Sequence, residues 1–350
     1  MRVLVINPGA TSTKLAVYEE EQEIWKTSIE HNAGELNTFP HVIDQSDYRG
    51  KIILETLEAQ GYHPADFDAV CGRGGLFRHI PSSVYAVNDA VLEDARTGKY
   101  GEHASNLGVV LAKQVAARAN IPAFFVDPVC VDEMTDVARI SGLNGIERQS
   151  FFHALNHKSI ARKASALLGK TYEELNLVVV HLGGGVSVAA HQNGSVIDVY
   201  NVKDDGSMGM DRAGAIPANA LVDLCFSGKS KQEVKKLIGA EAGVFSYLGT
   251  KDFREVEQRA FGGDPFAMLI FKAFAYQLAR DVGAMAAAMC FNVDAIVLTG
   301  GIAYSDRFCS EISSYVEKLA DVIRLPGEEE MRSLAEGALR VLHGEKALEY

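Results

Sequence analysis

The chain has 350 residues, 47% of them hydrophobic and 23% charged, enough for two domains that each bury a core. A formal net charge of −12 argues against a nucleic-acid partner, which would need a basic surface, yet permits anionic ligands held by a few local Arg and Lys residues. Five widely spaced cysteines without a Cys-x-x-Cys pair favour reduced thiols in a cytoplasmic setting over a disulfide framework or a zinc site, and the longest apolar run, residues 284–291, is too short to span a bilayer.

In chain order, Val3-Leu4-Val5-Ile6 reads as a buried strand, Asn7-Pro8-Gly9-Ala10-Thr11-Ser12-Thr13 as a tight turn of small residues, and Lys14-Leu15-Ala16-Val17-Tyr18 as a returning strand. A third strand follows at residues 22–25. Periodicity predicts a helix over 48–60, a strand over 67–71, a helix over 104–119, a strand over 123–126 and an amphipathic helix over 150–168 stopped by Gly169. The opening pattern then recurs. Val178-Val179-Val180 is a strand, His181-Leu182-Gly183-Gly184-Gly185 a turn, Val186-Ser187-Val188-Ala189-Ala190 a strand, and residues 195–199 a third. A long apolar helix over 265–291 has Pro265 in its first turn. Residues 295–299 form a buried strand running into Gly300 and Gly301, and a helix closes the chain over 328–343. The duplication predicts two like α/β domains, 1–150 joined by the returning segment 331–350, and 151–330.

Turns of small residues bare their backbone N–H groups, and bared N–H groups bind anions, phosphate above all. Asn7, Ser12 and Lys14 add an amide, a hydroxyl and a cation to the first turn, which could equally be an ordinary polar hairpin. The three glycines 183–185 weaken a folded element by about 1 kcal/mol each, which makes sense if a ligand approaches the backbone, although a bulge would also use them. Gly300 and Gly301 lie at a strand's carboxyl end, where open α/β sheets bind ligands, or they serve a tight strand-to-helix turn. Arg73 and Arg212 stand in Gly-rich loops, and a guanidinium fork suits carboxylate and phosphate alike. Asp127 ends a strand, where it could hold a hydroxyl, a catalytic water or Mg²⁺, or cap a helix. His153 and His157 are four apart without the Glu of a zinc-binding His-Glu-x-x-His, which leaves one histidine as a hydrogen-bond donor.

Taken together, the first turn with Lys14, Gly72-Arg73-Gly74-Gly75, Phe152-His153, His157-Lys158, His181 to Val186, Asp211-Arg212-Ala213-Gly214 and Leu298 to Ala303 resemble the acetate kinase family, and within it the butyrate kinases. The resemblance runs in family order from residue 3 to about 330. It implies duplicated ribonuclease-H-like, actin-like ATPase domains with the active site in the interdomain cleft. It also implies reversible phosphoryl transfer from ATP to a short-chain fatty acid, giving ADP and an acyl phosphate, with Mg²⁺ as cofactor and self-association into a homo-oligomer. By motif, Asn7 would contact the transferring phosphate, and Arg73 the substrate carboxylate, with Gly75 and Phe152 beside it. Arg212 and His153 would stabilise the γ-phosphoryl, and His181 would join the second phosphate turn. Asp127 and Glu329 would hold Mg²⁺, and Gly300 and Gly301 would face the adenosine. After Arg73 the chain reads Gly74-Gly75-Leu76-Phe77-Arg78, where acetate kinases carry Val-Val-His-Gly-Gly. That departure favours butyrate, with isobutyrate or another short-chain acid as the alternative. Two glycines in place of two valines are expected to leave room for a longer acyl chain. A non-catalytic nucleotide-binding regulator and a sugar kinase using Asp127 as base remain as competing readings.

Overall fold

Continuous apolar runs become fully buried central strands, as a sheet covered on both faces requires. The computed structural model describes residues 1–350. It begins with β1 (Arg2–Pro8), β2 (Ser12–Glu19), β3 (Gln22–Glu30), α1 (Ala33–Leu36), α2 (Ser46–Ala59), β4 (Ala69–Arg73), β5 (Val84–Ala86), α3 (Asp89–Thr97), α4 (Leu107–Ala117) and β6 (Ala123–Val126). There follow α5 (Asp136–Arg139), α6 (Ala154–Leu167), β7 (Asn176–Leu182), β8 (Val186–Gln192), β9 (Ser195–Tyr200), α7 (Ala218–Cys225), α8 (Lys231–Ala240), α9 (Gly243–Leu248) and α10 (Phe253–Phe261). The chain ends with α11 (Pro265–Ala288), β10 (Ala295–Gly300), α12 (Asp306–Val316), β11 (Asp321–Pro326), α13 (Glu330–Leu342) and β12 (Leu348–Glu349).

These elements form two units, Met1–Asp132 with Glu329–Tyr350, and Glu133–Glu328. The segment 133–150, assigned from the sequence to the first domain, is bonded into the second unit. There the Thr135 N–H donates to the Ile197 carbonyl and Arg148 donates to Asp198 and Asp205. No helix is long and apolar enough to cross a membrane.

The first unit's sheet has the order β12-β5-β6-β4-β1-β2-β3 and the second β11-β10-β7-β8-β9. In each, an antiparallel triplet leads, and the next two strands of the common core, β4 and β6 or β10 and β11, join the first strand in parallel. Even the register shift recurs, at Val17/Tyr18 on β2 and at Ala190/His191 on β8. This is the duplicated ribonuclease-H-like order, and the fold class is as expected.

Alternation along a strand sends successive side chains to opposite faces. On β7, Val178 and Val180 pack with Phe271, Phe274 and Leu278 of α11, while Leu177 and Val179 pack with Ile160, Ala161 and Ala164 of α6. Each such burial contributes about 1.5–3 kcal/mol, so this strand is pinned from both sides. In the first unit, Leu4 and Ile6 of β1 pack with Leu107 and Leu111 of α4 and with Ile53 of α2. The returning α13 packs on β1, β4 and β6. The strands' carboxyl ends are thereby held rigid from both faces.

Candidate active site

In the first unit, β1, β4 and β6 run parallel with Ile6 opposite Gly72 and Arg73 opposite Val126. Asn7, Arg73 and Asp127 therefore emerge from neighbouring strand ends. A close approach makes this possible. A Cβ on Gly72 would stand 2.1 Å from the Gly108 carbonyl oxygen, and one on Gly108 would stand 2.2 Å from the Arg73 carbonyl oxygen, so only glycines let α4 lie this near β4. Asp127 is 2% exposed, takes a positive φ of 37° and accepts a 2.6 Å hydrogen bond from the Ser82 hydroxyl. Such a conformation in a non-glycine residue is uncommon and marks a constrained position.

The guanidinium of Arg73 grips the Glu330 carboxylate at the start of α13 in a fork, Nη2 to Oε1 at 2.8 Å and Nη1 to Oε2 at 3.0 Å. The Asn7 side-chain N–H₂ donates to the same Oε2 at 2.9 Å. Of the three successive glutamates, Glu330 is thus the one that meets Asn7 and Arg73. Glu329 caps α13, its carboxylate acting electrostatically on Tyr18 and Arg332, and Glu328 pairs with His181 in the second unit at 3.1 Å. The Glu-Glu-Glu run carries no sequence signal for this choice; the phase of the helix makes it.

The first turn is closed by the Gly9 N–H donating to the Ser12 carbonyl at 2.7 Å. Ser12 is partly exposed and Lys14 exposed, with Lys14 opposite Asn7 in the ladder. Beneath the turn lies Arg49 of α2, fully buried. It donates to the carbonyls of Gly9, Ala10 and Ser12, to Thr13 Oγ1 and to Gln45 Oε1. Sequence reasoning missed Arg49, because an arginine on an amphipathic helix reads as a surface charge.

Gly74 and Gly75 do not supply the expected room. A Cβ on Gly75 would lie 2.2 Å from Asn106 Oδ1 and 2.6 Å from the Asn106 backbone nitrogen, and one on Gly74 would lie 2.6 Å from Pro128 Cβ. The volume two valines would take is already filled by the protein, so these glycines serve close packing.

In the second unit, β7 delivers His181 to the turn 183–185. A Cβ on Gly183 would meet His181 Nε2 at 2.8 Å and Glu328 Oε1 at 3.0 Å, and one on Gly185 would meet Arg212 Nη1 and His153 Nε2, each at 3.3 Å; Gly184 has open space. Arg212 and His153, far apart in sequence, thus converge over Gly185. The imidazoles of His153 and His181 stack at 3.8 Å, and His181 Nδ1 bonds Asn156 Oδ1 at 2.7 Å. Arg212 also donates to the Val202 carbonyl at 3.2 Å. Phe152, expected beside the substrate, is buried edge-on against His157 at 5.1 Å, where it forms the floor of the histidine group.

Next to the glycine turn lies a cavity of about 760 Å³ lined by Gly183, Gly184, Phe253, Arg254, Gly301 and Tyr304, among others. That size falls in the range of small-molecule and cofactor sites. Gly301 faces open space, and Gly300, at φ +88°, has the Leu182 carbonyl oxygen 2.4 Å from a would-be Cβ; only glycine fits there. Phe253, Arg254 and Tyr304 carried no motif signal, since aromatic and charged residues in short helices read as core and surface.

No cluster of three or more His, Cys, Asp or Glu side chains is preformed for a metal. Mg²⁺ is commonly held by one or two carboxylates together with substrate phosphates and water. Asp127 at the end of β6 and Glu330 at the start of α13 offer carboxylate oxygens of the kind that chemistry uses, Glu330 being held by Arg73 in this structure.

Residues 141–324, more than half the chain, match the model of the acetokinase family. Among solved structures, acetate kinase from Porphyromonas gingivalis is similar with a TM-score of 0.81 and 22% identity, over 97% of this chain and 99% of that one. A propionate kinase from Francisella tularensis subsp. tularensis SCHU S4 gives 0.77 and 19% over 96% and 98%, and acetate kinase from Entamoeba histolytica 0.78 and 14% over 97% and 99%. At these identities the structural likenesses speak for the fold, and the family match carries the assignment: the chain belongs to the acetokinase family, ATP-using phosphotransferases that act on a carboxyl group.

Proposed function

We propose that this protein is a butyrate kinase, which transfers the γ-phosphoryl group of ATP reversibly to butyrate, giving butyryl phosphate and ADP, and that it works as a homo-oligomer. The observation that carries the carboxylate reading is the Arg73 fork, which already grips a carboxylate, that of Glu330, through two parallel hydrogen bonds. Planar, bidentate recognition is what arginine offers and lysine does not. The choice of butyrate rests on the sequence after Arg73, which departs from the acetate kinase pattern.

The acceptor is already an anion, so attack on the γ-phosphorus needs no strong base. The residues act by positioning and by neutralising charge in an in-line displacement. In the first unit, Arg73 orients the acid, exchanging Glu330 for the substrate carboxylate, and Asn7 with the Ser12–Lys14 turn meets the phosphoryl oxygens. In the second, the Gly183 N–H closes the turn on the Gly185 carbonyl, the N–H groups of Gly184 and Gly185 and His181 hold the phosphate chain, Gly300 and Gly301 face the adenosine, and Arg212 with His153 stabilises the charge spreading over the transferring group. Asp127 and Glu330, the latter in place of Glu329, would hold Mg²⁺, which supplies charge neutralisation at the phosphates.

The test is hydroxamate formation from ATP, hydroxylamine and each of acetate, propionate, butyrate and isobutyrate. Butyrate should give the highest kcat/KM. A higher value for acetate or propionate removes the butyrate assignment, one for isobutyrate shifts it to branched acids, and no hydroxamate from any acid removes the carboxylate kinase.

A further inference from the structure

Behind His153 runs a row of buried polar side chains that nothing in the proposed reaction uses. His153 Nδ1 bonds Ser187 Oγ at 2.9 Å, and Ser187 Oγ bonds His157 Nε2 at 2.9 Å. His157 Nδ1 bonds His191 Nε2 at 3.2 Å, and His191 Nδ1 bonds the Tyr172 hydroxyl at 2.7 Å. Local structure explains the alignment. His153 and His157 are one turn apart at the start of α6, where the His157 N–H donates to the His153 carbonyl. Ser187 and His191 are four apart on β8, hence on one face. His157 and His191 are wholly buried, with rings 3° from parallel.

We infer that Tyr172, His191, His157 and Ser187 form a relay of positioning residues that holds His153 in the tautomer with its proton on Nε2, so that it acts on the phosphoryl group as a donor. The inference rests on the role proposed above for His153. The hydrogens follow from the network itself. A neutral imidazole has one N–H and one acceptor nitrogen. His157 and His191 use both nitrogens, and burial, followed by neighbouring cationic and histidine side chains, holds both well below the usual histidine range. With both neutral, the hydrogens from Tyr172 through Ser187 must point the same way, and a Ser187 hydroxyl that accepts from His157 keeps its own hydrogen for His153 Nδ1. If Tyr172 donates to His191, then His191 donates to His157, His157 to Ser187 and Ser187 to His153 Nδ1, which leaves the His153 proton on Nε2. The opposite direction would put it on Nδ1.

The role proposed for His153 selects between the two. The ammonium of Lys158 lies 5.4 Å and the guanidinium of Arg162 5.8 Å from the centre of the Tyr172 ring. Lys158 is paired with Glu133 at 2.6 Å and Arg212 stands at the opposite, His153 end, so cations flank the row at both ends; in the first direction every hydrogen points away from Tyr172. His153 then turns its Nε2 edge to Gly185 and Arg212, the place where a donor to developing phosphoryl charge is wanted. A base there would serve no purpose, because the acceptor is already ionised.

Two variants test the relay, Tyr172→Phe, which deletes one oxygen at its far end, and Ser187→Ala, which cuts it next to His153. The first readout is long-range ¹H–¹⁵N NMR of protein labelled in its histidines, with the His153 signals assigned by their loss in His153→Gln. The parent should show the Nε2–H pattern at His153. Both variants should show a mixture or the Nδ1–H pattern. The second readout is steady-state kinetics, where kcat should fall about tenfold, as for outer partners of a functional histidine, with KM for ATP and butyrate kept. An Nδ1–H pattern in the parent, or an unchanged Nε2–H pattern in folded Ser187→Ala with parental kcat, overturns the relay. The tautomer readout needs no turnover. If the parent phosphorylates no acid, the proposed function fails while the spectra still judge the relay. If Ser187→Ala does not fold, the spectra of Tyr172→Phe decide.

Discussion

Arg49→Met isolates what a buried guanidinium does for the first phosphate turn. Methionine keeps the apolar stem and removes the charge and all donors. The carbonyls of Gly9, Ala10 and Ser12 and the Gln45 amide oxygen then lose bonds of 2.8–3.1 Å. The Ser12 carbonyl keeps the Gly9 N–H, and removing an isolated buried cation returns part of the loss. A buried acceptor left unmet costs about 1–3 kcal/mol; Gln45 is buried and the turn carbonyls partly so, so a net cost of about 3 kcal/mol is expected. For a unit of this size that lowers the melting temperature by roughly 6–12 °C. A second readout is His31, buried and bonded to Thr13. Burial first, and then the Arg49 charge, hold its pKa below the usual histidine range, so removing Arg49 should let it rise. Calorimetry and histidine NMR titration supply the two measurements, and the hydroxamate assay should show weakened kcat/KM as the turn loosens. Melting within a degree of the parent together with an unmoved His31 titration would refute the clasp.

Arg73→Ala and Arg212→Ala should each lower kcat by about 10²–10³, the usual loss when one charged donor to a transition state is removed, with circular dichroism unchanged; near-parental turnover would take that arginine out of the reaction. Gly75→Val should leave the butyrate-to-acetate ratio of kcat/KM where it was and destabilise the protein by about 1–3 kcal/mol through overpacking against Asn106; a ratio moved toward acetate in a stable protein would restore the glycine as a chain-length determinant. Asp281 of α11 accepts the Ser207 N–H at 2.6 Å, and burial raises its pKa from 3.8 to about 6. An acid with a raised folded pKa contributes stability below its unfolded pKa and loses it as pH climbs through the folded value. Asp281→Asn, which keeps the acceptor, should therefore match the parent near pH 4 and exceed it at pH 8, and a constant gap across that range would count against the linkage.

The duplication was legible because its signal is local. Residues 3–6 and 178–180 are unbroken apolar runs beside small-residue turns, and the strand over 123–126 and the start of α11 fell where periodicity and Pro265 put them. Some of what escaped has little or no core-facing pattern, although α12, with Phe308, Ile312 and Val316 buried at helical spacing, was missed despite one. β5 and β12 are three and two residues long, and α7 contains no buried residue. α3 was overlooked although Asn88 caps it and Gly98 ends it in the left-handed conformation. At the site, the motif residues were visible as types but not as partners. Arg49, Ser187 and Glu330 take their meaning from contacts 30 or more residues away, which no window on the sequence can contain.

The glycines show how one residue type hides different causes. In the motifs around the site, Gly184 and Gly301 face open space, as a ligand approaching the backbone would require, and Gly300 is held at positive φ. Gly72, Gly75 and Gly183 instead have protein atoms within 3 Å of any Cβ they might carry. Read as letters, all six suggest room for a ligand. Read with their neighbours, the open Gly184 and Gly301 border the cavity beside the packed Gly183, while Gly72 in β4 and Gly75 after it exist so that α4 and Asn106 can come close. The consequence for specificity is direct. Chain length cannot be set by the missing side chains of Gly74 and Gly75, since the space is occupied. If butyrate is preferred, the difference from acetate comes from other side chains than the two valines that are missing here, and Asn106 and Pro128, packed against these glycines, are the first to substitute. Those two positions are where selectivity should be sought.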